Sequence, residues 1–216
     1  MMFNCSISMS TLFVILLTHV AATKVSNLGR CSQEKVMLAE CLKPHQIYIS
    51  STLSNVTGEE ILDRVFMNKF FNFTKKVATC IGPNIACDRT RHYKYFLDAL
   101  TFVGESLYDP TVFGCLQEIE PHLHSCFGYF YNYKEVMILN KLSSATQGVI
   151  RCLSDSLQSH NSLCGKRATE KIKCAVIALR LIAKNYHNWN KGKMKVAVFN
   201  PKKISPKPYK DIICGL

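Results

Sequence analysis

The sequence predicts an all-α protein, a disulfide-stapled bundle of about six helices with an extended basic C-terminal tail. Three observations carry that expectation. Apolar residues recur at steps of three and four through most of the chain, which is the period of one helix face. Ten cysteines follow an N-terminal apolar segment, an even number suited to a closed disulfide set. No strand-rich region and no convincing internal repeat is visible.

Hydrophobic residues at 48% and charged residues at 19% describe a globular rather than a disordered chain. Residues 11–22, TLFVILLTHVAA, are an apolar run closing on small residues, with Val20 and Ala22 fitting the cleavage rule. The run is shorter than the ~20 apolar residues of a membrane span. The expected organisation is a signal peptide at 1–22, a cysteine-rich helical domain at 23–189 and a basic Pro/Lys-rich tail at 190–216. The expected location is extracellular, with no transmembrane span. Disulfides are expected at Cys31, Cys41, Cys80, Cys87, Cys115, Cys126, Cys152, Cys164, Cys174 and Cys214, in a connectivity that spacing does not fix. Two sequons, Asn55-Val56-Thr57 and Asn72-Phe73-Thr74, predict glycans on Asn55 and Asn72.

The first helix is expected within Cys31–Tyr48, with Val36, Met37, Cys41 and Leu42 apolar and Pro44 bending or ending it. Residues 47–55 are Ser/Thr-rich and read as a loop. The central helix starts at a capping box, Thr57-x-x-Glu60. Its stripe is Leu62, Phe66, Phe70, Phe73, Val77 and Cys80, and Gly82-Pro83 stops it. A third helix spans 88–108, capped by Asp88 or Thr90, with Tyr93, Phe96, Leu97, Leu100, Val103 and Leu107 inward. Asp109 caps the next helix and Pro110 occupies its first position. Val112, Phe113, Leu116 and Ile119 are its stripe, and Pro121 kinks it or starts another helix.

After the aromatic break at 128–133, residues 134–157 have a helical pattern and 159–165 read as a loop. The last strong helix runs 167–189, with Ala168, Ile172, Ala175, Leu179, Ile182 and Tyr186 on one face. Lys166, Arg167, Lys171, Lys173, Arg180 and Lys184 make the other. Lys195–Phe199 alternates like a short strand, and Pro201, Pro206 and Pro208 argue for extended chain.

Motifs for chemistry are thin. His122, His124 and Cys126 invite a metal reading, with His122 and Cys126 at i,i+4 able to share a helix face, but no second ligand pair at zinc spacing accompanies them, so no metal is expected. Gly104-Glu105-Ser106 lacks the closing glycine of a nucleophile elbow and falls within a helix. Glu59 with Glu60, and Glu118 with Glu120, fit capping and solvated faces. No Gly-rich phosphate loop occurs, and no cofactor or catalytic residue is expected. Phe127, Tyr129, Phe130, Tyr131 and Tyr133 suit either a core rim or a pocket for a hydrophobic ligand.

The secretory signal, Cys31-x9-Cys41, the aromatic helix into Cys80-x6-Cys87, the amphipathic segment to Cys115 and the later cysteines resemble a cysteine-rich helical extracellular domain of unknown function expanded in nematodes. The likeness covers about 31–189. It departs where a further cysteine is expected before Cys80, near Phe70 or Phe73, and in the basic tail. A second likeness is to insect hemolymph glycoproteins, also helical and cysteine-rich. Neither implies an assigned chemistry.

Charge supplies the sharpest functional expectation. Of a net +12, half lies in residues 190–216, where Lys191, Lys193, Lys195, Lys202, Lys203, Lys207 and Lys210 face only Asp211. Such a segment suits a polyanion such as a glycosaminoglycan, or an extracellular partner protein. The expected function is therefore extracellular binding without catalysis. The alternative is a carrier of small hydrophobic ligands.

Overall fold

A computed structural model describes residues 29–51, 63–127, 152, 155, 161–190 and 198–204. The described residues are 88% helical and contain no strand, which places the chain in the all-α class. No described helix is long and apolar enough to cross a membrane. The chain divides into two compact units, residues 1–97 and 98–216.

In the N-terminal unit, α1 spans Arg30–Leu42 and buries Glu34, Leu38 and Cys41. The expected face is rotated: Val36 is 61% exposed, because Leu38 and Cys41, three residues apart, define the inward stripe. Pro44 converts the helix to a 3₁₀ turn at Lys43–His45, as its missing N–H requires. The Ser/Thr-rich stretch expected as a loop then begins with helix α2, Gln46–Ser51. Ser50 and Ser51 direct their hydroxyls back to the Ile47 carbonyl at 3.2 and 2.6 Å, so serine here supports the turn instead of breaking it.

Helix α3 spans Arg64–Ile81. Its start differs from expectation. Asp63 is extended (ψ 104°) and its carboxylate accepts the N–H groups of Val65 and Phe66 at 2.8 and 3.1 Å. Asp63 is thus the N-cap, and Thr57 and Glu60 lie outside the described residues. The C-terminus is as expected. Gly82 adopts φ 72°, open to glycine at no steric cost, and donates to Thr79 at 3.1 Å. Met67, Phe70, Phe71, Phe73, Thr74, Val77, Ala78 and Ile81 are buried, a broader face than the expected stripe, while Cys80 is exposed. His45 and Tyr48 pack on Phe73 with ring centroids 5.1 and 5.5 Å away.

Helix α4, Asp88–Leu107, gives its first half to the N-terminal unit and its second half to the C-terminal unit. The expected inner face is buried apart from the half-buried Leu107. Helix α5, Pro110–Phe127, starts as expected: Asp109 accepts Thr111 N–H at 3.1 Å and also its hydroxyl. It runs through Pro121 without a stop.

Helix α6 spans Asn161–Asn190 and is broken at Gly165, whose φ of 64° reorients the chain. The loop expected at 159–165 is therefore helical from Asn161 and interrupted only at that glycine. Val112, Cys115 and Ile119 of α5 pack with Cys164, Ala168, Ile172 and Val176 of α6 to form the core of this unit. Lys171 leaves the expected solvated face: its ammonium lies 3.4 Å from Asp109 Oδ2, both side chains about one third exposed.

Candidate functional site

Three of the expected features fall within the described residues: much of the cysteine framework, one sequon and part of the basic tail.

Two disulfides join helix pairs. Cys41–Cys80 links α1 to α3, and Cys115–Cys164 links α5 to α6 immediately before the Gly165 break. Cys152 and Cys174 are also disulfide-bonded, and Cys152 packs on the core of the C-terminal unit. Cys31 and Cys87, expected in disulfides, are thiols. The side chain of Cys126, and Cys214, lie outside the described residues, as do Phe127's ring, the tyrosines at 129–133 and the side chains of His122 and His124. No group of metal-binding side chains occurs among the described residues.

The loop between α3 and α4 is held from two sides by charge. The buried Glu34 carboxylate accepts the N–H groups of Ala86 and Cys87 at 2.7 and 3.0 Å. Arg91 donates to the carbonyls of Ile85 and Ala86 at 3.2 and 3.1 Å and pairs with Asp88 at 2.8 Å. Sequence reasoning missed Glu34. A glutamate just ahead of Val36-Met37 reads as a solvated position, and only the tertiary fold supplies its backbone donors. One turn into α4, His92 is 2% exposed, and burial pushes its imidazole down to about 4.

Asn72 of the second sequon is exposed on α3, so a glycan there points away from the core. Thr74 of the same sequon is buried and donates its hydroxyl to the Phe71 carbonyl at 2.8 Å. Asn55 lies outside the described residues.

Within the basic tail, residues 198–204 are described. They form no strand. Asn200 is extended and caps a 3₁₀ turn, Pro201–Lys203, by accepting Lys202 N–H at 3.0 Å. Two apolar side chains flank the turn, Phe199 at 8% and Ile204 at 4% exposed. Phe199 meets Phe102 of α4 with centroids 5.8 Å apart. Lys202 and Lys203 lie exposed between these anchors. The expectation of extended chain fails locally, because Asn200 and Pro201 together favour a turn. Lys191, Lys193, Lys195, Lys207 and Lys210 are outside the described residues. An anchored turn that offers two adjacent ammonium groups can attract an anion without first ordering a free tail.

Compared with protein-family models, curated proteins and solved structures, the chain matches none.

Proposed function

We propose that the chain is a secreted, glycosylated helical protein that acts by binding, and that its C-terminal basic segment engages a polyanion such as a glycosaminoglycan. The observation that carries this reading is the turn at Pro201–Lys203. Phe199 and Ile204 hold it down by apolar burial, while Lys202 and Lys203 stay in solvent. Half of the chain's excess positive charge lies in the surrounding 27 residues. The disulfides suit an oxidising compartment, and the exposed Asn72 suits a glycan. In this reading the helices make a bundle of about six, comparable to the nematode extracellular domain in texture, and the rest of the tail runs extended around the anchored turn.

The test is salt elution from heparin. Replacing Lys202 and Lys203 by alanine leaves Phe199 and Ile204 in place, so helical circular dichroism should not change. Elution should move to lower salt, and the slope of log affinity against log salt should shrink by about one to two as two cations are lost. Phe199→Ala keeps every charge but frees the turn, and should produce a smaller shift. Unchanged elution of the double-lysine variant would sink the reading.

A further inference from the structure

Cys31 and Glu34 are three residues apart on α1 and therefore share a face of that helix. Glu34 holds the backbone of Ala86 and Cys87 through two hydrogen bonds, and Arg91 holds the carbonyls of the same loop. The buried carboxylate thereby brings the peptide unit of Cys87 to the turn of α1 that carries Cys31. Cys87 is the neighbour that acts most strongly on the Cys31 thiol. Neither is engaged in a disulfide, and the Cys41–Cys80 bond already fixes the opposite end of α1 to α3.

We propose that Cys31 and Cys87 are a dithiol that closes to a further disulfide of the N-terminal unit, with Glu34 as its positioning residue. The oxidant is a small-molecule disulfide of the glutathione class. One protein thiol loses its proton and attacks a sulfur of that disulfide, forming a mixed disulfide and expelling one small thiolate. The second protein thiol, deprotonated in turn, attacks the protein sulfur of the mixed disulfide. The Cys31–Cys87 bond forms and the second small thiolate leaves. The two protons taken from the protein thiols end on the two small thiols, and two electrons pass from protein to reagent.

The surroundings set the rate. Cys87, more than any other neighbour, raises the Cys31 thiol to about 11, with desolvation and the charges of Glu34 and Asp88 adding to the effect. Cys31 therefore keeps its proton at neutral pH, and attack by its sulfur speeds up as pH rises. Closure would tie α1 to the start of α4, adding a covalent bond where Glu34 now supplies a polar one.

The full chain, with its other disulfides intact, should be equilibrated in mixtures of reduced and oxidised glutathione. Acid quenching, alkylation with N-ethylmaleimide, proteolysis and electron-transfer fragmentation between Cys80 and Cys87 then assign each linkage. The expected result is that Cys31 and Cys87 leave the alkylated pool together and appear joined to each other. Glu34→Ala should shift their closure at least tenfold toward the dithiol while Cys41–Cys80 stays closed. Glu34→Gln, which retains an acceptor oxygen, should recover part of that loss, a rescue that general destabilisation would not give. In Cys31→Ser, Cys87 should remain alkylatable. The proposal is overturned if both thiols stay alkylatable in buffers that keep Cys41–Cys80 closed, or if either one pairs with a different cysteine.

Discussion

Phe70, Phe71 and Phe73 fill the N-terminal unit with aromatic rings, whereas Ala168, Ala175 and Ala178 lie buried in the last helix of the C-terminal unit beside Ile172 and Val176. The disulfides follow the same division. The Cα atoms are 5.7 Å apart across Cys41–Cys80 and 4.9 Å apart across Cys115–Cys164. Large rings cover much apolar area per residue and leave large holes when lost. Small residues bring backbones close and leave no room for added atoms. One unit should therefore be vulnerable to lost volume and the other to gained volume.

The largest expected effect tests that asymmetry. Phe70→Ala should destabilise the N-terminal unit by about 3–5 kcal/mol, from lost burial and the cavity left behind. Ala175→Leu should cost the C-terminal unit about 1–3 kcal/mol through overpacking. Urea unfolding followed by circular dichroism measures both. Costs for Ala175→Leu near zero would mean that α6 has slack on this face, and the comparison would break.

A second contrast lies in acid. His92 belongs to the N-terminal unit, and burial lowers its pKa from 6.5 to about 4. Between those values the unfolded chain binds a proton that the folded chain does not, so stability falls as pH drops from 6.5 toward 4. Asp109 belongs to the C-terminal unit. The Thr111 hydroxyl, above all, lowers its carboxyl from 3.8 to about 2. Its contribution is complete above 3.8 and is lost as pH falls through about 2. The two units should thus loosen in successive windows, the N-terminal one first. His92→Gln should flatten the change in urea midpoint between pH 6.5 and 4 and leave the lower window intact. A difference between variant and parent that stays constant across pH 4–6.5 would contradict the buried neutral imidazole.

Local signals in the sequence are reliable where the chemistry is local. Gly82-Pro83 and Asp109-Pro110 mark helix boundaries because each acts on its own backbone, and both stand where the pattern puts them. The inner face of α4 is equally legible, since Tyr93, Phe96, Leu97, Leu100 and Val103 repeat at the helical period. The start of α3 is harder to read, because Thr57-x-x-Glu60 matches a capping box by pattern, whereas the helix is capped by Asp63, whose role shows only in its bonds to Val65 and Phe66 N–H. Glu34 and Phe199 are illegible for a different reason. A glutamate within a polar helix and a phenylalanine in a lysine-rich tail gain their roles only from partners 52 and more residues away, at Ala86 and Phe102. The basic tail is thus legible as charge, whereas its anchoring depends on tertiary contacts.

The smallest expected effect separates two contributions at Asp109. Lys171 and Asp109 form a partly exposed ion pair at 3.4 Å, a class that contributes about 0.2–1 kcal/mol. A double-mutant cycle of Lys171→Met with Asp109→Asn should return a coupling in that range, since an asparagine side chain at this position still caps α5 and the cycle subtracts the cap. The titration of Asp109 sharpens the point. Its depressed pKa owes more to hydrogen bonds from Thr111 than to Lys171. Thr111→Val should therefore raise the Asp109 pKa more than Lys171→Met does, as read from carboxyl chemical shifts by nuclear magnetic resonance. The reverse order would make the ion pair with α6, rather than the local cap, the reason that the C-terminal unit resists acid longer than its neighbour.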